Sequence, residues 1–301
     1  MPSWHGIGQQ IQEQIEKGNR AIDTVRKEYL SLLSKHTQRN TIIYYSGWLQ
    51  KPNVDGLIIS DVDKNGFMSV IHNLDRSRGL DLLIHTPGGD TAATESIVDY
   101  IRRMFDDVRV IVPQIAMSGG TMIACAANSI VMGKQSNLGP IDPQFQGIPA
   151  HGVIEEFEEA KKAIKKDQKE IPVWQPVIAK YPPTFIGECR KALNWSKEMT
   201  KDWLVTGMFK DEEDKENKAK EIVDFLCDHQ STFTHNRHLS ISKCKEIGLK
   251  ITDLESDQDL QELVLSVHHA CMHTLAQTSS IKLIENQDGI AFIQHASPVR
   301  E

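Results

Sequence analysis

The chain has 301 residues, 40% hydrophobic and 25% charged, enough for one large α/β domain with an accessory segment. Its formal net charge of -7 argues against a general nucleic-acid binder, which needs a basic surface. Five scattered cysteines, an odd number, fit free thiols in a reducing compartment. The polar start lacks an apolar signal segment, and no run reaches the roughly 20 apolar residues of a membrane span, so a cytoplasmic protein is expected.

From about Ile7 to Leu33, apolar residues recur at helical spacing among Glu, Lys and Arg. This predicts an N-terminal amphipathic helix within residues 1–38, a candidate oligomerisation element, ahead of one domain over 39–301. Thr41–Tyr45 reads as a strand, Gly56–Ile59 as a short one, and Asn65–Arg76 as a helix. A βα rhythm follows: strand Leu80–His85, helix Thr91–Phe105, strand Val108–Val112, helix Ser118–Ala127 and strand Ser129–Met132. Short apolar runs alternating with helices imply a parallel sheet with crossover helices. Gly139–Pro143 reads as a loop, His151–Lys169 as a charged helix, and Pro172–Pro183, with four prolines, as no single helix. Phe185–Lys201 returns to helix, and Lys210–Glu221 is a solvated charge run. Ile241–Leu249 ends on a glycine cap, Leu260–Gln277 is helical, and Ile281–Ile293 forms a hairpin turning at Asp288–Gly289.

Two segments carry chemistry. Thr86-Pro87-Gly88-Gly89-Asp90 lies between a predicted strand and helix, and its glycines leave N–H groups uncovered for a developing negative charge. Ala116-Met117-Ser118-Gly119-Gly120-Thr121 presents a serine hydroxyl where a strand gives way to a helix, with an open N–H directly after it. Taken singly, the first also fits a plain βα turn and the second a serine helix cap. Together they sit at the same carboxyl edge of one parallel sheet, a nucleophile facing N–H donors, which is the arrangement for acyl transfer.

His85–Asp90, Ala116–Ala124, Leu138–Gln144 and Trp174–Phe185 together resemble the serine dehydrogenase proteinase family of Clp/crotonase-fold serine peptidases, related to signal peptide peptidase A. The resemblance implies a ββα superhelix with a parallel sheet, a protein or peptide substrate, a homo-oligomer, and neither cofactor nor metal. It makes Ser118 the nucleophile and the N–H groups of Gly89 and Gly119 the oxyanion hole, with Gly88 able to replace or assist Gly89. The base implied is Lys180, in a Ser–Lys dyad, because its segment is otherwise uncharged. His151 and Asp142 stand as alternatives. An acyl-CoA enzyme of the crotonase type and a non-catalytic interaction protein on the same fold are the rival readings.

Two other patterns are set aside. Asp61-x-Asp63-x-Asn65-Gly66 starts like a calcium loop, but His72 stands where the bidentate Glu is needed. Cys227, His235, His238 and Cys244 lack the paired spacing of common structural zinc sites.

Overall fold

A computed structural model of the chain describes residues 3–16, 21–145, 147–228 and 234–296. In chain order it opens with α1 (Trp4–Glu16), α2 (Ala21–Thr37), β1 (Asn40–Ser46), α3 (Asp61–Ile71), β2 (Leu80–His85), α4 (Thr91–Met104) and β3 (Val108–Val112). There follow β4 (Ile115–Ala116), α5 (Gly119–Cys125), β5 (Ser129–Met132), β6 (Asn137–Leu138), β7 (Gln144–Phe145) and β8 (Ile148–Pro149). The helices α6 (Ala150–Lys166), α7 (Ile171–Ile178), α8 (Phe185–Thr206) and α9 (Lys215–Cys227) come next. The chain closes with β9 (Leu239–Ser240), α10 (Ile241–Glu246), β10 (Ile251–Asp253), α11 (Gln258–Gln277), β11 (Ser280–Asn286) and β12 (Ala291–His295).

A seven-stranded sheet runs β10-β5-β3-β2-β1-β11-β12, with β10, β5, β3, β2 and β1 mutually parallel. The closing hairpin adds β11 and β12 antiparallel to it. Every residue of β1 and β2 is buried, because helices cover both faces of the sheet. Side chains alternate between the faces. Ile42, Tyr44, Leu82, Ile84, Val110 and Val112 join the core under α3, α4, α5, α8 and α9, whereas Ile43, Tyr45, Leu83 and Ile111 pack with Leu30 and Leu33 of α2 and with α11.

The expected single N-terminal helix is divided into α1 and α2, with residues 17–20 between them outside the described part. Its apolar stripe, Ile7, Ile11 and Val25, packs against Ala270 of α11. Gly56–Ile59 forms no strand; Ile59 makes one isolated parallel bridge to Gly89. The proline-rich stretch is no single helix: the short α7 has Pro172 in its first turn, where a missing N–H leaves no bond unmade, and Pro176 inside it, and it ends at Ile178, before Pro182 and Pro183. The calcium-like acidic cluster belongs to α3, whose N-cap Ser60 and N3 residue Asp63 form a capping box.

Asp63 also holds Lys282 of β11. Both side chains are fully buried, and Lys282 Nζ lies 2.7 Å from both Asp63 oxygens and 2.7 Å from the Ile58 carbonyl. The Tyr44 hydroxyl, the Ser60 N–H and the Gln294 amide donate to the same carboxylate. Lys282→Met strands a buried charge, so urea unfolding is expected to show a loss of about 3–5 kcal/mol. The double variant Asp63→Leu/Lys282→Met is expected to recover most of that loss. A single variant within about 1 kcal/mol of wild type would mean that water reaches the pair. All five cysteines are free and buried.

Candidate active site

Two loops leave the carboxyl ends of neighbouring strands β2 and β3 and are fastened together by their backbones. Thr86 N–H donates to Ile115 O at 3.3 Å and Met117 N–H to Thr86 O at 3.0 Å. The first loop must pass close to the second. Gly88, at φ 91°, has no room for a side chain: a Cβ there would stand 2.7 Å from Ser118 Cβ and 2.9 Å from Gly119 N. On its outer side the same loop hangs on Ile59, which donates its N–H to Gly88 O at 2.8 Å and accepts from Asp90 N–H at 3.0 Å. In a parallel bridge the flanking groups bond the partner, so the N–H of Gly89 itself faces away from Ile59. Asp90 then caps α4, accepting from Ala93 N–H at 2.8 Å.

Ser118 lies between β4 and α5 with φ 49° and ψ −111°, a sparsely populated conformation for a residue with a side chain. Its hydroxyl caps nothing and makes no hydrogen bond among the described residues. Ser118 O and Met117 O accept from Met122 and Gly120, so α5 begins without using the Gly119 N–H. Neither Gly89 nor Gly119 N–H finds an acceptor among the described residues, and a Cβ on Gly119 would lie 3.5 Å from Gly89 N. One hydroxyl and two open amides therefore share a small space.

That space is one end of an open cavity of about 590 Å³. Gly88, Gly89 and Ser118 line it together with Ile141, Asp142, Phe145, His235, and Trp195 and Ser196 of α8. Asp142 is buried. Burial, with the Asp142 carboxylate adding to it, pushes the neighbouring Cys227 thiol up to about 12.

The sequence-derived candidates divide. Ser118, Gly89, Gly88 and Asp142 line this cavity, and Gly119 adjoins it through Ser118. Lys180 is exposed and lines a second cavity of about 660 Å³ with Tyr181 and Phe185; Phe145 belongs to both. His151, in the first turn of α6, places Nδ1 3.4 Å from Glu155 Oε1 and lines neither cavity. The sequence pattern offers His235 only as a metal ligand. The fold places it in the lining of the Ser118 cavity, from a turn between α9 and β9, a placement that no local pattern announces. Among the described residues no group of His, Cys, Asp and Glu could hold a metal ion, and no helix is long and apolar enough to cross a membrane.

The profile of a family described as ClpP-like SDH-type serine proteinase matches residues 47–286. Two proteins of Methanocaldococcus jannaschii are similar to the chain. The uncharacterized protein MJ0137 is 32% identical over 189 residues, covering 63% of this chain and 59% of that protein. The uncharacterized protein MJ1495 is 33% identical over 172 residues, covering 57% of this chain and 51% of that protein. The chain thus spans between half and three fifths of the length of these curated relatives.

Proposed function

The chain belongs to the ClpP-like SDH-type serine proteinases, and on that footing we propose that it hydrolyses peptide bonds through an acyl-enzyme on Ser118. The observation that carries the reading is the convergence of a strained, unpartnered Ser118 hydroxyl with the two unused N–H groups of Gly89 and Gly119. An extended peptide lies beside the Gly88–Gly89 loop with its scissile carbonyl carbon at Ser118 Oγ. As Oγ adds, the carbonyl oxygen becomes an oxyanion and takes both N–H bonds, which are fixed before the reaction begins. The amine leaves, and water later releases the acyl group.

The proton acceptor implied by the resemblance is Lys180. A dyad with Lys180 joins groups that line two different cavities, which share Phe145. Assembly into homo-oligomers belongs to the same proposal; Ile15 and Leu32 remain exposed after α1 and α2 have covered their inner stripe, which supports it.

A fluorophosphonate probe tests the reading, since it captures serines activated for acyl transfer. The expected result is one covalent adduct, mapped by mass spectrometry to Ser118. A folded protein that takes up no probe there would refute it.

A further inference from the structure

A helix that is apolar nearly all round is ordinarily buried. The short helix α7 reads Ile-Pro-Val-Trp-Gln-Pro-Val-Ile, with Gln175 its one polar side chain, yet none of its residues is buried. Val173 is 61% exposed and Ile171 42%; Trp174, Val177 and Ile178 are half-buried. The segment leading into α7 is basic. Helix α6 carries Glu155, Glu156, Glu158 and Glu159 in its first half and Lys161, Lys162, Lys165 and Lys166 in its second, and Lys169 follows in the connecting turn. All five lysines are exposed. Lys161 pairs with Glu158 at 2.8 Å, whereas the side chains of Lys165, Lys166 and Lys169 make no ion pair or hydrogen bond among the described residues. From 161 to 178 these lysines face only two acids, Asp167 and Glu170, a local positive excess in a chain whose net charge is -7.

We propose that α7 and the lysines before it dock the protein onto the surface of an anionic lipid bilayer. The apolar side chains of α7 enter the boundary between headgroups and acyl chains, and the lysines stay among the phosphates. Trp174 suits that depth, because its ring is apolar and its N–H still needs a polar partner. At eight residues α7 is about 12 Å long, so it lies on the bilayer and does not span it. The negative end of the α6 dipole accounts for Lys165 and Lys166 as stabilising cations, but not for Lys169 or for the uncovered helix beside them. A second protein surface fits less well, since lysine is depleted from protein interfaces, whereas apolar residues bordered by unpaired lysines are the composition of bilayer-surface helices. This docking does not depend on the chemistry at Ser118.

Flotation of the full chain with lipid vesicles is the test. Wild type is expected to bind phosphatidylcholine vesicles containing about one third phosphatidylglycerol at least about 10-fold better than phosphatidylcholine alone. Salt at about 0.5 M should weaken that binding, because exposed charges are then screened. Val173→Asp is expected to bind at least about 10-fold more weakly, and the double variant Lys165→Glu/Lys166→Glu about 10–100-fold more weakly. Each of these side chains is exposed, so both variants should melt at the wild-type temperature. Trp174 reports contact directly: brominated acyl chains should quench its fluorescence in wild type, and Trp174→Phe should float yet lose that quenching. The inference is overturned by no flotation with the anionic vesicles, by equal flotation with both lipids, or by quenching that persists in Trp174→Phe. It is also overturned if Val173→Asp still floats but changes oligomeric state in light scattering, which would assign α7 to a second copy of the chain.

Discussion

Ser118→Gly is expected to lose at least about 10⁴-fold in peptide hydrolysis while gaining about 1 kcal/mol in stability. The first effect follows from deleting the nucleophile, since residual rate then depends on the oxyanion hole and binding alone. The second follows from the backbone. A side chain at φ 49°, ψ −111° is held in a region that glycine enters freely. Glycine relieves a strain of about 1–3 kcal/mol and returns part of the gain through the larger freedom of its unfolded chain. Ser118→Ala is the informative companion, because it deletes the hydroxyl and keeps the strain. Denaturant unfolding should rank Ser118→Gly above both Ser118→Ala and wild type. Equal stability of the two variants would mean that no strain is stored there, and hydrolysis by either within tenfold of wild type would dismiss the nucleophile.

Gly89→Ala is expected to lower kcat by about 10²–10³-fold with a much smaller change in KM. An added Cβ would stand 2.3 Å from Ile59 N and 2.5 Å from Ile59 O. Ile59 is fully buried and bonded on both sides of the glycine, so it cannot step back. The loop must move instead, and the Gly89 N–H turns away from the oxyanion. Binding contacts farther along the cavity survive, which is why KM changes less. Gly187→Ala is the control: in α8, with nothing near its added Cβ, it is expected to be neutral in rate and up to about 1 kcal/mol more stable. Unchanged kcat in Gly89→Ala would move the oxyanion donor to another residue, Gly88 first.

Strands Leu80–His85, Val108–Val112 and Ser129–Met132 could be read to the residue, because strands buried on both faces carry mainly apolar runs, interrupted here by Asp81 and Arg109, which pair with each other. The paired glycine and serine motifs were legible for a related reason. Only glycine fits where Gly88 meets Ser118 and Gly89 meets Ile59, so a tight tertiary contact left a compositional trace. Other features left none. Ile59 looks like the end of a strand, yet its single bridge to Gly89 is decided by a loop that comes later in the chain. The separation of Lys180 from Ser118 depends on how α6, α7 and the β7–β8 hairpin divide two cavities at Phe145. His235 lines the cavity beyond α9, which packs on the sheet core, and neither its neighbours nor its spacing encode that placement.

The buried sulfurs described with the fold have a practical consequence. None of Cys125, Cys189, Cys227, Cys244 and Cys271 faces solvent, and burial raises all five thiols above their ordinary range, with Cys244 reaching about 12. Thiolates, the species that attack alkylating agents, are therefore scarce in the closed molecule. Iodoacetamide uptake then registers opening events alone, giving the native chain a built-in clock for its own unfolding that needs no engineered label.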